Sequence, residues 1–139
     1  MSFVIDTNIL VAALNGHPGI LTRLDELTPW QAVLCSPVLA ELEFGSQRST
    51  RRVENRAKIE RLATAMRFEV FRDSSARKFG EIKAEAYRRG FIKSDFDLAI
   101  AAVALDLGAV LVSDDRAFHD HPIPGLEVQN WLRDPFQHP

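Results

Sequence analysis

A chain that runs an apolar strand straight into a carboxylate has few folds open to it. Here Phe3-Val4-Ile5 leads directly into Asp6, Thr7 and Asn8, and Ile9, Leu10 and Val11 follow. The short apolar run reads as a buried strand. The residues after Asn8 read as a helix starting at once, with Thr7 or Asn8 able to cap it. Asp6 then stands at the carboxyl end of a strand, where open α/β sheets place their ligands. A carboxylate there is costly unless it is paired or holds a cation. Asp6 either caps the helix or belongs to a group of acids that converge on it.

The remainder of the chain repeats this alternation. Residues 20–27 have a helical pattern that Thr28-Pro29 ends. Residues 32–35 (Ala-Val-Leu-Cys) read as a second buried strand, and Ser36-Pro37 starts a helix over 37–44 that stops at Gly45 as a C-cap. Residues 48–66 form a basic helical segment, and residues 68–71 a third strand. Asp73 or Ser74 caps a further helix, closed by Arg88-Arg89-Gly90 with its cations at the negative helix end. Ser94 or Asp95 opens the next helix and Gly108 ends it. Residues 109–112 are a fourth strand, 116–125 an irregular loop and 126–129 a last short strand, with Trp131 packing the tail. Strands alternating with helices predict an α/β fold, a small and mainly parallel sheet with helices on both faces. The 139 residues suffice for one domain spanning 1–139.

Three further acids fall where they can reach Asp6. Glu41 lies mid-helix on the face of Val38, while Glu43, two residues on, points elsewhere and reads as solvated. Asp97 heads the apolar stripe of Ile100, Ala101 and Ala104, and Asp95 is the better cap. Asp114 and Asp115 follow a strand as Asp6 does, and adjacent acids raise each other's pKa unless a cation offsets them. This oxygen-rich set lacks the paired histidines or cysteines that zinc prefers. It favours Mg²⁺ or Mn²⁺. Carboxylates holding a divalent metal beside a basic surface point to phosphodiester hydrolysis, the metal activating water and a second ion stabilising the leaving oxygen.

The basic surface is visible in the charge distribution. Residues 48–93 hold 14 of the 17 Lys and Arg but 6 of the 19 Asp and Glu, a net of +8; the remaining 3 basic and 13 acidic residues give −10. Arg51, Arg52 and Arg56 are the candidates for gripping substrate phosphates. The single cysteine, Cys35, has no disulfide partner and reads as a small buried hydrophobe. The amino terminus lacks a basic leading region, and no apolar run reaches the length of a membrane span, so a cytoplasmic protein without membrane contact is expected.

Together, Ile5-Asp6-Thr7-Asn8-Ile9-Leu10, Ala40-Glu41-Leu42-Glu43-Phe44-Gly45, Asp97-Leu98-Ala99-Ile100-Ala101-Ala102 and Leu111-Val112-Ser113-Asp114-Asp115 resemble the motifs of a PIN domain, specifically a VapC-type toxin ribonuclease. The ending Gly125-Leu126-Glu127-Val128-Gln129-Asn130-Trp131 is similar as well, and the motifs stand in the family's order over essentially the whole chain. The resemblance implies a PIN fold and divalent-metal-dependent RNA cleavage. It places the catalytic acids at Asp6, Glu41, Asp97 and the Ser113-Asp114-Asp115 turn, where Asp115 is favoured and Asp114 is a helper. Asp6, Asp97 and Asp115 would hold the metal, with Glu41 acting directly or through water. Ser113 matches the family hydroxyl, and Thr7 and Asn8 would position Asp6 or a water. The resemblance also implies a small cognate antitoxin that wraps a hydrophobic groove and sends a basic side chain into the acidic pocket, and a homodimer.

Two other readings compete. An acidic-pocket phosphatase or phosphotransfer domain would need a second Asp two residues after the first, where Asn8 stands, or a lysine after the late strand, which Ser113 does not precede. A non-catalytic RNA- or protein-binding module would keep the acids only for a partner.

Overall fold

The amino-terminal apolar run becomes β1 (Phe3–Ile5), the middle strand of a five-stranded sheet in which every neighbouring pair is parallel. The computed structural model describes residues 1–133. The expected domain, 1–139, includes residues 134–139, which lie outside the described residues. After β1 come α1 (Thr7–Leu14), α2 (Pro18–Glu26), β2 (Ala32–Cys35), α3 (Ser36–Arg48), α4 (Arg52–Ala65) and β3 (Arg67–Glu69). Then follow α5 (Asp73–Arg89), α6 (Asp95–Leu107), β4 (Val110–Val112), α7 (Arg116–Asp120) and β5 (Val128–Gln129). The order across the sheet is β3-β2-β1-β4-β5.

Every residue of β1, β2 and β4 is buried. That is why these strands read as continuous apolar runs instead of alternating ones. Val4 sits between Val33 of β2 and Leu111 of β4 in register. Ala101, Ala102 and Ala104 are buried on α6, which packs on β1 and β4. Small side chains there let the helix approach the sheet, and so bring its first turn to the strand ends. Gly90 and Gly108, at φ of 75° and 64°, end α5 and α6 in the left-handed conformation that glycine adopts without a Cβ clash. Trp131 is buried against Phe3, with ring centroids 5.6 Å apart, so the tail packs down as expected. Cys35 is buried, and burial pushes its thiol up to about 12. Among the described residues no helix is long and apolar enough to cross a membrane.

The structure corrects several boundaries. Gly45 does not end its helix. The inward stripe continues through Leu42 and Ser46, so α3 runs on to Arg48 and Ser49 takes the C-cap. The basic segment expected over 48–66 is therefore split, with α4 starting at Arg52. The third strand lies at Arg67–Glu69, because its pairing ends opposite Cys35 where β2 ends. Beyond it, the Phe71 N–H donates to Ser36 Oγ at 2.9 Å. Neither Asp73 nor Ser74 caps α5. Arg72 holds that position, its N–H donating to Ser75 Oγ at 3.3 Å, while Ser74 and Ser75 both donate to Asp106. The loop 116–125 contains the short helix α7, and the last strand has two residues.

Candidate active site

The strand order reverses between β1 and β4, and in parallel sheets ligands bind beyond the carboxyl ends at such a reversal. Asp6 follows β1 there and Ser113 follows β4. The Ser113 Oγ donates to Asp6 Oδ2 at 2.6 Å, and the Asp6 N–H donates to the Val112 carbonyl at 2.9 Å. Asp6 Oδ1 accepts from the Thr7 N–H at 2.8 Å. Asp6 is thus itself the N-cap of α1, which the sequence left open among Asp6, Thr7 and Asn8. Its extended backbone (φ −71°, ψ 159°) turns the carboxylate onto the first free amide, and Thr7 and Asn8 already lie inside the helix. Only 4% of Asp6 is exposed. Burial pushes its carboxyl up to about 6, even though the Ser113 and Thr7 bonds pull it down; the charges of Asp97 and Glu41 raise it further.

Glu41 arrives from the middle of α3, and its Oε1 accepts from Thr7 Oγ1 at 2.6 Å. Glu43 is half-buried instead of solvated. Asp97 stands half-buried in the first turn of α6, where its N–H donates to the Ser94 hydroxyl that caps the helix. Asp95 leaves the cap to Ser94 and pairs with Lys83 at 2.8 Å. The Asp97 carboxyl is raised by burial first, then by the charges of Asp115 and Glu41 and by the side-chain contact with Asp115. Asp115 caps α7 through the Ala117 N–H at 2.9 Å, and its own N–H donates to Ser113 Oγ at 3.0 Å. One hydroxyl, Ser113, therefore joins the acid after β1 to the turn after β4.

The neighbouring acid has other partners. Asp114 Oδ1 accepts from Asn130 Nδ2 at 2.7 Å and from Arg133 Nε at 3.0 Å. The Asn130 bond, and then Arg133, hold its carboxyl below the usual carboxylate range. Asn8 accepts the Asp114 N–H through Oδ1 at 3.3 Å, so it braces the turn. A ring nitrogen of His119 lies 3.1 Å from the Ser113 carbonyl and braces the turn from the other side. Arg51, Arg52 and Arg56 are exposed at the start of α4 and line a groove with Gln47 and Thr50.

Asp6, Glu41, Asp97 and Asp115 present carboxylate oxygens, with the Thr7 and Ser113 hydroxyls beside them. Such donors fit a hard divalent cation and not a soft one. As placed, no group of three His, Cys, Asp or Glu among the described residues closes on a single metal position. A small hard cation does not require one, since Mg²⁺ commonly takes one or two carboxylates and keeps several waters.

A family model for the PIN domain matches residues 3–123. The chain belongs to the PIN domain family. Among curated relatives, the Ribonuclease VapC2 of Rickettsia felis is 31% identical, over 94% of this chain and 98% of that protein. The tRNA(fMet)-specific endonuclease VapC of Shigella flexneri is 26% identical, over 94% and 98% respectively. The crystal structure of VapBC2 from Rickettsia felis bound to a DNA fragment from their promoter superposes with a TM-score of 0.87 at 30% identity, covering 94% of this chain and 99% of that one. The chain is thus a PIN-domain ribonuclease of the VapC toxin type.

In this PIN domain one residue near the acids escaped the sequence reading. Lys93 precedes α6, and its Nζ donates to the His121 carbonyl at 2.8 Å. The negative charges of Asp115 and Asp97 act on it, against a burial that lowers its pKa. Its signal in the sequence is its place four residues before Asp97, hidden because it closes a long basic stretch.

Proposed function

We propose that this PIN-domain toxin hydrolyses RNA phosphodiester bonds at the site formed by Asp6, Glu41, Asp97 and Asp115. The observation that carries the reading is the near-complete burial of Asp6 at the β1–β4 reversal, under the charges of Glu41 and Asp97. A buried carboxylate among other carboxylates is unfavourable alone and becomes favourable when a cation neutralises the group. Mg²⁺ or Mn²⁺ suits this donor set, and when bound it supplies Lewis-acid activation of water and charge neutralisation at the phosphate. Ser113 fixes Asp6 from one side and Thr7 fixes Glu41 from the other, so both carboxylates are oriented before substrate arrives. Asp115 takes the fourth place, with Asp114 as a helper that secures the turn. Arg51, Arg52 and Arg56 draw RNA phosphates toward the site.

The partners follow the same reading. A groove of about 220 Å³ lined by Val11, Leu14, Leu42 and Ile59 opens beside Thr7 and Glu41. It suits an apolar antitoxin segment whose basic side chain enters the acidic pocket, and the similar solved complexes support a cognate antitoxin. Exposed Phe71 and Phe96, which line one depression with Phe79, are the face we assign to a homodimer. An RNA substrate places the activity in the cytoplasm.

The test is cleavage of total RNA by the purified toxin in saturating Mg²⁺. Asp6→Asn is expected to keep the fold and abolish cleavage. Undiminished cleavage by that variant would falsify the assignment.

A further inference from the structure

Two cations carried beside the turn after β4 are committed. Arg133 pairs with Asp114 at 3.0 Å, and Arg116 with Asp120 at 3.8 Å. Lys93 differs. It makes no direct ion pair among the described residues, and its bond to the His121 carbonyl is to a neutral group. An ammonium has three donors, so two remain after that bond.

Its position is held from two sides. The segment carrying Lys93 runs into α6, whose first turn presents Asp97. His121 is the C-cap of α7, whose N-cap is Asp115. The Lys93–His121 bond therefore ties together the two segments that deliver Asp97 and Asp115. The stack of Phe91 on His121, with centroids 3.8 Å apart, makes the same connection beside it. The Lys93 side chain lines a mostly apolar cavity of about 140 Å³ with Phe91, Leu98 and Ile123. A long aliphatic stem kept against apolar surface directs its charged end outward, and the negative charges of Asp115 and Asp97 act on that end. A half-buried cation with spare donors and no direct carboxylate partner, beside a site for an anionic substrate, has the chemistry of a phosphate ligand.

We propose that Lys93 binds substrate directly, its Nζ donating to a non-bridging oxygen of the RNA phosphate that enters the Asp6–Asp97–Asp115 pocket. This rests on the ribonuclease site proposed above. The ammonium supplies positive charge on the side of the pocket formed by α6 and α7, and its tie to His121 fixes where that charge stands. Lys93 thus binds and orients the phosphate and transfers no proton.

The experiment uses the full chain carrying Asp6→Asn, to prevent cleavage, and a fluorescein-labelled oligouridylate as the probe. Affinity is measured over a series of KCl concentrations, alone and with Lys93→Gln or Lys93→Arg added. Glutamine keeps a donor for the His121 carbonyl but removes the charge. One lost phosphate contact lowers the slope of log affinity against log salt by about 0.7 for a single strand, so that reduction is expected for Lys93→Gln and not for Lys93→Arg. In the Asp6-intact protein, Lys93→Gln is expected to reduce kcat/KM on RNA by about tenfold, the scale of one charge-assisted hydrogen bond, and Lys93→Arg to recover most of it. A purely structural lysine would leave the salt slope unchanged. If the Asp6→Asn parent binds RNA and Lys93→Gln matches it in slope and affinity, and turnover is unchanged by Lys93→Gln in the Asp6-intact protein, the Lys93 assignment fails and the ribonuclease site stands. If the parent binds no RNA and the Asp6-intact protein cleaves none, both fail.

Discussion

Ser113 Oγ donates to Asp6 Oδ2 at 2.6 Å, joining two residues 107 positions apart across the seam between β1 and β4. The same oxygen accepts the Asp115 N–H at 3.0 Å. The hydroxyl is fully buried, so the acid after β1 and the turn after β4 share one fixed reference point.

Replacing Ser113 with Ala leaves Asp6 Oδ2 buried without that donor. Because the Ser113 bond pulls the Asp6 carboxyl down, its loss moves the carboxyl further above 6. A carbon-13 NMR titration of the metal-free protein is expected to show Asp6 titrating at higher pH in Ser113→Ala than in the wild type. Unfolding in urea at neutral pH is expected to show a loss of about 1–3 kcal/mol, the usual consequence of an unsatisfied buried acceptor. Ser113→Thr, which keeps the hydroxyl, should leave the titration in place. An unshifted Asp6 in Ser113→Ala would show that the bond does not set its acidity.

Asp6 also gives metal-free stability a defined pH dependence. Its folded pKa, about 6, lies above the ordinary 3.8, so the folded state holds the proton more tightly than the unfolded chain does. Between these values the unfolded state binds fewer protons, and this group's contribution to stability falls as pH rises. Below pH 4 the contribution is whole, and above pH 6 it is gone. Asn at this position cannot titrate. The stability of Asp6→Asn relative to wild type in EDTA is therefore expected to improve by about 2–3 kcal/mol between pH 4 and pH 7. Adding Mg²⁺ at pH 7 should raise the melting temperature of the wild type and not of the variant. Parallel pH curves for the two proteins would refute the assignment of that dependence to Asp6.

The parts of this site that were legible in sequence are those set by local periodicity. A strand ending in an acid located Asp6. Helical spacing placed Glu41 on the face of Val38, and Asp97 at the head of the Ile100–Ala104 stripe. The parallel sheet followed from unbroken apolar runs at β1, β2 and β4. What was not legible depends on partners distant in the chain. Gly45 looks like a helix end, but the burial of Leu42 and Ser46 carries α3 past it. Thr7 looks like a cap, but its hydroxyl is directed to Glu41 and the capping falls to Asp6. The turn at Asp114 and Asp115 has no local signal for which acid points where. Asn130 and Arg133 settle the direction of Asp114, and Ala117 that of Asp115.

That difference in partners separates the two adjacent acids experimentally. Asp115 faces Asp97, whereas Asp114 is neutralised by Arg133 and bonded to Asn130. Asp115→Asn is expected to lower kcat/KM on RNA by at least about a hundredfold, the upper range for a group that orients a metal site. Asp114→Asn is expected to lower it by less than about tenfold, with a stability loss near 1 kcal/mol for an exposed pair and one hydrogen bond. Cleavage rates and urea melts of both variants at the same Mg²⁺ concentration provide the check. Equal losses of activity would put Asp114 in the site.

Thr7 connects helix α1 to the acid of α3, because its Oγ1 donates to Glu41 Oε1 at 2.6 Å. Glu41 is the one member of the set on a mid-helix side chain with several rotatable bonds, so it has the most orientational freedom to lose. Thr7→Val keeps the shape of the side chain and removes the donor, leaving Glu41 free to turn into the adjoining groove past Leu14 and Ile59. Outer partners of this kind are worth about 10–100-fold in metal affinity or activity. The Mg²⁺ concentration giving half-maximal cleavage is therefore expected to rise by about tenfold in Thr7→Val and to stay near wild type in Thr7→Ser. The melting temperature in EDTA should not fall, because removing the donor also relaxes a carboxylate held close to Asp6 and Asp97. A Mg²⁺ requirement unchanged in Thr7→Val would mean that Glu41 is oriented without Thr7, and that this bond serves only to join α1 to α3.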